Sequence, residues 1–179
     1  MSEETRWEDI DQLLNRSERT KDESRTKAAQ QIAELRFKFP TTAHPSYRTF
    51  VNLPEVTMAV QSGKRELAPD IVVVDKVKTA ETLLKITAVV AITEEVNEDE
   101  ARANWAPAAS IPGQAFYLFV PVGCGAAAKK ICGRLKIRPE GYRTWRFTPQ
   151  GIEINDISEP SSPIAALMPG FVRRALATP

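Results

Sequence analysis

The strongest constraint on the fold is a pair of β-branched runs in the middle of the chain. Ile71 to Val74 reads Ile-Val-Val-Val, and Thr82 to Ile92 forms a second run rich in Val, Ile and Thr. Continuous apolar runs are typical of strands buried on both faces, because a strand with one wet face alternates polar and apolar residues. The polar turn from Lys76 to Ala80 is short enough to join the two runs. We therefore predict that they form the middle of a sheet.

Helices and further strands are predicted on both sides of this pair. Ala28, Ile32, Leu35 and Phe39 repeat at helical spacing up to Pro40, and Asn97 is placed to cap a helix that runs toward Trp105 and stops near Pro107. The other predicted elements are strands at 47–51, 56–60 and 115–120, a turn at 62–64, a helix at 123–135, a hairpin of 142–147 with 152–154 around 149–151, and short helices after Pro160. This order predicts an α/β fold with a central mixed β-sheet flanked by helices.

The N-terminal part is predicted to be an appendage, with residues 1–26 separate from a main domain at 27–179. Trp7, Ile10, Leu13 and Leu14 share one face of a short amphipathic helix. Residues 15–26 contain no apolar side chain, so they form either a solvated linker or an exposed helical start. The first helix then packs on a neighbouring subunit, as in a homodimer, or on a distant part of its own domain.

Composition excludes several classes of function. The 24 basic and 23 acidic residues leave a formal charge of +1, which gives no molecule-wide attraction for nucleic acid or membranes. His44 is the single histidine, so the sequence has too few histidines for a multi-histidine metal site and almost none for a histidine-dependent catalytic triad. Cys124 and Cys132 fit neither a disulfide scaffold nor a CxxC zinc site. With no apolar stretch near Met1, we expect a cytoplasmic protein without membrane contact.

Four segments in order carry a resemblance to a known family. They are Pro-Asp-Ile-Val-Val-Val-Asp at 69–75, Glu-Asp-Glu-Ala-Arg at 98–102 with Trp105 after it, Phe-Tyr-Leu-Phe-Val-Pro at 116–121, and Lys-Ile-Arg-Pro-Glu-Gly-Tyr-Arg-Thr-Trp-Arg at 136–146. This arrangement resembles the PD-(D/E)XK nuclease superfamily, and within it a restriction-endonuclease-like family of unknown function. The resemblance covers roughly residues 28–155 and implies a restriction-endonuclease-like core.

The resemblance also implies where a catalytic site would lie. In that superfamily the Asp after Pro, here Asp70, and an acidic residue on the next strand hold Mg²⁺, while a Lys two positions later helps to activate water. Residues i and i+2 of a strand face the same side, so carboxylate and ammonium meet at one metal ion, which lowers the pKa of the water. Here the acidic-x-lysine positions fall on Val89 and Ala91. Both are apolar, and the motif is therefore degenerate.

Two functions remain open at this stage. The favoured one is an inactive nuclease domain, retained as a binding or assembly module, that needs no cofactor and in which Asp70 is a strand-entry residue. The alternative is a Mg²⁺-dependent DNA endonuclease in which Asp70 is a metal ligand. Glu34 on the first predicted helix is then the best relocated carboxylate, although no matching lysine is evident.

A local excess of basic residues near the end of the main domain is a candidate DNA-binding patch. Seven Lys and Arg residues between 129 and 146 accompany a single acidic residue, Glu140. The predicted phosphate contacts are Lys136, Arg138, Arg143 and Arg146, with Tyr142 and Trp145 available for base stacking. The solvated faces of a helix and a hairpin would have the same composition, so this alternative stays open.

Overall fold

A computed structural model of the chain describes residues 21–78, 80–89 and 93–157, without the side chains of 85–89 and of Thr93. The predicted helix at Trp7, the predicted helices after Pro160 and the position of Ala91 lie outside these residues. In the described ranges, no helix is both long and apolar enough to cross a membrane.

In the part of the chain that the structure describes, eight strands form two sheets. They are β1 (Tyr47–Val51), β2 (Val60–Ser62), β3 (Arg65–Leu67), β4 (Ile71–Val77), β5 (Ala80–Val89), β6 (Ala115–Pro121), β7 (Gly141–Thr148) and β8 (Gly151–Asp156). The main sheet has the order β1-β4-β5-β6-β7-β8, and β2 pairs with β3 in a separate hairpin. Strands β1 and β8 are therefore the two edges of the main sheet.

The main sheet is mixed, as predicted. Its centre is parallel, because β6 pairs in parallel with both β5 and β7, whereas the remaining pairs are antiparallel. Since β4 runs against β5, the start of β4 lies beside the ends of β5, β6 and β7. We call this side of the sheet the carboxyl edge. It is the side on which open α/β sheets bind their ligands.

Helix α1, whose described part covers residues 21–36, lies on one face of the sheet. Its buried residues and the sheet residues beneath them form one core cluster: Ala28, Ala29, Ile32 and Ala33 with Phe37, Ile71, Val73, Phe119 and Trp145. The helical residues share one face, because they recur at intervals of about one turn. The small alanine side chains let the helix approach the sheet closely.

The opposite face is covered by α2 (Glu98–Glu100), a π-helical turn (Ala101–Trp105) and α3 (Ala106–Ala109), which follow one another without a break, and by α4 (Gly125–Leu135). Their core includes Val72, Val74, Trp105, Leu118, Val120, Ala128 and Ile131. Asn97 accepts a hydrogen bond of 2.9 Å from the amide of Glu100, which confirms the predicted helix cap. The described chain is thus a mixed α/β fold with helices on both faces of the sheet.

The structure corrects the predicted limits of the two longest helical segments. Helix α1 ends at residue 36 instead of reaching Phe39, and Leu35 is 62% exposed while Phe37 is buried. The helical segment after Asn97 continues past Pro107 to Ala109. Pro107 stands in the first turn of α3, directly after the π-helical turn, and because proline has no N–H one backbone hydrogen bond of this continuous segment is absent there.

Of the two runs predicted to be buried on both faces, the run at 71–74 is confirmed, whereas in the run that begins at Thr82 that residue is exposed and Leu83 and Leu84 are only half-buried. All four residues from Ile71 to Val74 are at most 1% exposed, which confirms that this run is buried on both faces. The hairpin of β7 and β8 is confirmed, with its turn at Pro149 and Gln150. The prediction of a strand at 56–60 is wrong, because only Val60 of that segment lies in a strand.

Candidate functional site

Asp70 lies at the carboxyl edge, immediately before β4. Its side chain is only 5% exposed, which is unusual for a carboxylate. Its backbone carbonyl accepts a hydrogen bond of 2.9 Å from the amide of Asn52, in the loop after β1. The position of Asp70 is therefore fixed by the neighbouring strand as well as by its own.

Asn52 is the polar side chain that holds this corner together. Buried to 96% of its surface, it donates from Nδ2 to the carbonyls of Met58 and Pro69, both at 2.7 Å. Its Oδ1 accepts from the amides of Thr57 and Met58, both at 2.8 Å. Sequence reasoning missed this residue. Its position just after a strand and before a Leu-Pro pair is the signal that could have marked it as a loop clamp.

Arg25 of α1 forms an ion pair with Asp70. Its Nη2 lies 3.1 Å from Oδ1 and 3.2 Å from Oδ2 of the carboxylate. Burial lowers the pKa of the Arg25 guanidinium, but the charge and hydrogen bond of Asp70, together with the charges of Glu100 and Glu95, outweigh it, so that the pKa is raised. Sequence reasoning missed Arg25 as well, because it lies in a segment with no apolar side chain.

A small cavity adjoins this ion pair. Its volume is about 70 Å³, and Arg25, Leu67, Ala68, Pro69, Asp70, Asn104 and Ala108 line it. The Nδ2 of Asn104 donates a hydrogen bond of 2.8 Å to Glu100 Oε2 and thereby holds that carboxylate on the same side of the fold. Among the described residues, the surroundings of Asp70 therefore include the guanidinium of Arg25, the amide of Asn104 and additional negative charge.

Glu34 lies away from this cavity. It follows Arg25 by nine residues on α1, which is about 13.5 Å along the helix axis and two and a half turns around it. It therefore faces the opposite side of the helix, where it is exposed and lines an open groove with Phe37 and Thr49. The structure does not bring Glu34 together with Asp70, as the relocated-carboxylate alternative would require.

The strand register locates the backbone of the positions that the resemblance assigns to the acidic-x-lysine pair. Val89 is the last residue of β5 and pairs with Phe119 of β6. Ile71 pairs with Thr87, and continuing this antiparallel register by one pair sets Asp70 across from Ala88. Val89 thus stands one residue beyond the position opposite Asp70. Ala91 lies outside the described residues.

Among the described side chains, no group of three or more His, Cys, Asp or Glu residues is placed to hold a metal ion. Glu98 is instead held by arginines: Arg102 lies 2.8 Å and Arg134 2.9 Å from it. His44 stacks on Tyr47 with ring centroids 4.5 Å apart, which is a packing role.

Two of the four predicted phosphate contacts are already paired with carboxylates. Arg143 forms an ion pair with Asp156 and lies over the Tyr117 ring, 4.8 Å from its centroid. Arg146 lies 2.6 Å from Glu153. Because residues 143 and 146 are an odd number of positions apart on β7, they project from opposite faces of the sheet. They therefore do not form one continuous patch.

The other two predicted contacts lie in the connection between α4 and β7. Lys136 ends α4 in a left-handed conformation with φ of 56°, and both Lys136 and Arg138 are exposed. The predicted stacking role of Trp145 is wrong, because it is 5% exposed and packs in the core beneath α1. Tyr142 is half-buried, with Lys129 5.6 Å from its ring centroid.

Comparisons of the chain with protein-family models, curated proteins and solved structures found no match.

Proposed function

We propose that this chain is a restriction-endonuclease-like domain that has lost phosphodiester cleavage and serves as a binding or assembly module. The observation that carries the proposal is the pairing of Asp70 with Arg25. A catalytic carboxylate of a nuclease must share a metal ion with further carboxylates, whereas the carboxylate of Asp70 is paired with the guanidinium of Arg25. The degenerate positions Val89 and Ala91 support the same conclusion.

The order of the elements also supports the proposal. The antiparallel pair β4 and β5 leads into a helical segment and then into β6, parallel to β5. This is the arrangement in which the start of one strand and the end of the next meet at one edge. Asp70 lies at that edge, where the resemblance implies a former active site.

Mg²⁺ is the cofactor that the resemblance implies, and the described residues do not fit it. A Mg²⁺ ion takes octahedral oxygen ligands and would use the carboxylate of Asp70. That carboxylate is buried and already has a cationic nitrogen 3.1 Å and 3.2 Å from its two oxygens. A divalent cation there would be strongly repelled by Arg25.

The binding partner that the surface charge favours is DNA. Lys136 and Arg138 are both exposed and stand two positions apart in the chain, and phosphate contacts of this kind require no particular base sequence. With a net charge of +1, the attraction would be local and would depend on salt. Such contact does not involve the Asp70 cavity.

The test of inactivity is incubation of the purified protein with plasmid and linear DNA in Mg²⁺ or Mn²⁺. We expect no cleavage by the native chain, by Asp70→Ala or by Asp75→Ala, whose carboxylate lies elsewhere on β4. A nuclease that co-purifies would act equally in all three samples. Cleavage by the native chain and by Asp75→Ala that is absent from Asp70→Ala would overturn the proposal and make Asp70 catalytic.

A further inference from the structure

The contact between Arg25 and Asp70 has the geometry of a cation shared by two carboxylate oxygens. A single nitrogen, Nη2, lies within 3.1 Å of Oδ1 and 3.2 Å of Oδ2. A metal ion bound by both oxygens of one carboxylate occupies the same region in front of it. The guanidinium and such an ion therefore cannot occupy this region at the same time.

Additional negative charge is directed at the same guanidinium. Glu100 and Glu95 act on Arg25 electrostatically, and Asn104 holds Glu100 through a hydrogen bond of 2.8 Å. The Nε of Arg25 is buried and has no hydrogen-bond partner among the described residues. Arg25 is therefore placed here by its charge more than by a complete hydrogen-bond network.

The helix that carries Arg25 is fixed to the sheet by its own core. Ala28, Ala29 and Ile32 follow Arg25 within two turns and are fully buried. The guanidinium of Arg25 therefore lies at Asp70 whenever α1 packs on the sheet. It does so without the loss of translational entropy that accompanies the binding of a free ion. Without it, the buried carboxylate of Asp70 would lose a counter-charge in a place largely closed to water.

We propose that Arg25 acts as a tethered cation in place of a divalent metal ion at Asp70, and that docking of α1 keeps divalent cations out of this cavity. This inference deepens the proposed function, because it assigns the inactivity to a named residue. It concerns cation binding alone, so it is tested without DNA.

The experiment compares Mn²⁺ binding by the native 179-residue chain, Arg25→Met and Arg36→Met, using calorimetric titration and the electron paramagnetic resonance signal of free Mn²⁺. Arg36 is the matched control, because it also lies on α1 and pairs with a carboxylate, Asp156, at 3.8 Å. We expect the Kd for Mn²⁺ to fall at least about tenfold in Arg25→Met, because a repelling charge is removed. Arg36→Met should bind like the native chain.

The double variant Arg25→Met with Asp70→Asn should lose the gain in Mn²⁺ affinity. The inference would be overturned if the native chain bound Mn²⁺ as tightly as Arg25→Met does, or if the gain in Mn²⁺ affinity persisted in the double variant. If Arg25→Met fails to fold, recovery of the fold in the double variant supports it, whereas failure of both shows that Arg25 acts through packing and overturns it. DNA cleavage by the native chain would instead contradict the proposed function.

Discussion

Asn52 shows at the scale of single residues how one buried amide can determine the place of a charged group. Its side chain joins the loop at 57–58 to the carbonyl of Pro69, and its backbone amide bonds to Asp70. The carboxylate therefore owes its position to a residue 18 places earlier in the chain.

We predict that Asn52→Ala lowers the free energy of unfolding by about 2–4 kcal/mol, because two amides and two carbonyls lose their buried partner. Asn155→Ala is the matched control, since the side chain of Asn155 is exposed and bonds, among the described residues, only to Glu153 at 3.2 Å. The control should change the free energy by no more than about 0.5 kcal/mol. Urea unfolding followed by circular dichroism measures both, and equal effects would show that the clamp has no special role.

The candidate site was only half predictable at this scale. Asp70 stands next to a proline at the start of an apolar run, so its position at a strand entrance could be inferred from neighbours in sequence. Arg25 contacts it across 45 residues and carries no local signal. A long-range ion pair depends on how α1 crosses the sheet, and that crossing is decided by packing rather than by spacing.

At the scale of elements, α1 is the segment whose limits matter most. Residues 21–26 are helical, as in the second of the two predicted alternatives, and they include Arg25. The predicted boundary at residue 26 therefore divides the described helix. A chain that starts at Lys27 would retain the buried alanines of α1 but lose Arg25 and its ion pair with Asp70.

We predict that a chain starting at Lys27 folds but is about 2–4 kcal/mol less stable than one starting at Lys21. The value is somewhat below that for breaking a fully buried pair, because the side chain of Arg25 is 33% exposed. Chemical unfolding of both chains beside the 179-residue chain measures the difference. Equal stability of the two shortened chains would mean that the Arg25 pair contributes nothing.

Elements with a strong apolar pattern were predictable, and those held by side-chain contacts were not. The run at 71–74 could only be satisfied by burial on both faces, and it became β4. Leu35 fitted a helical repeat, yet the close approach of Ala28, Ala29 and Ala33 rotates it into solvent. The loop at 56–59 is apolar enough for a strand, but Asn52 occupies its hydrogen-bonding groups.

At the scale of the whole molecule, the distribution of charge over the surface bears on the proposed DNA binding more than the net charge does. Basic side chains that count equally in the sequence differ in the fold, because Asp156 and Glu153 neutralise Arg143 and Arg146. Lys136 and Arg138 lie outside that pairing, on the connection before β7. Pairing across the hairpin could not be read from the sequence, since it depends on the register of β7 and β8.

We predict that Lys136→Gln with Arg138→Gln weakens DNA binding and reduces the slope of log affinity against log salt by about 2, one unit per lost phosphate contact. Arg143→Gln with Arg146→Gln should change the slope less. Fluorescence anisotropy with two unrelated duplexes over a range of salt measures both. A larger effect of the second pair, or no binding by the native chain at low salt, would contradict this assignment.

The two edge strands of the main sheet bear on how copies of the chain behave when they are crowded. On β1, Arg48 donates 2.7 Å hydrogen bonds to the carbonyls of Pro45 and Tyr47, so it occupies acceptors that an incoming strand would need. On β8, Glu153 and Asp156 put charge along the other edge. Such guarded edges oppose sheet-to-sheet polymerisation, the usual route to amyloid-like aggregates, and they leave any homodimer to form through other surfaces.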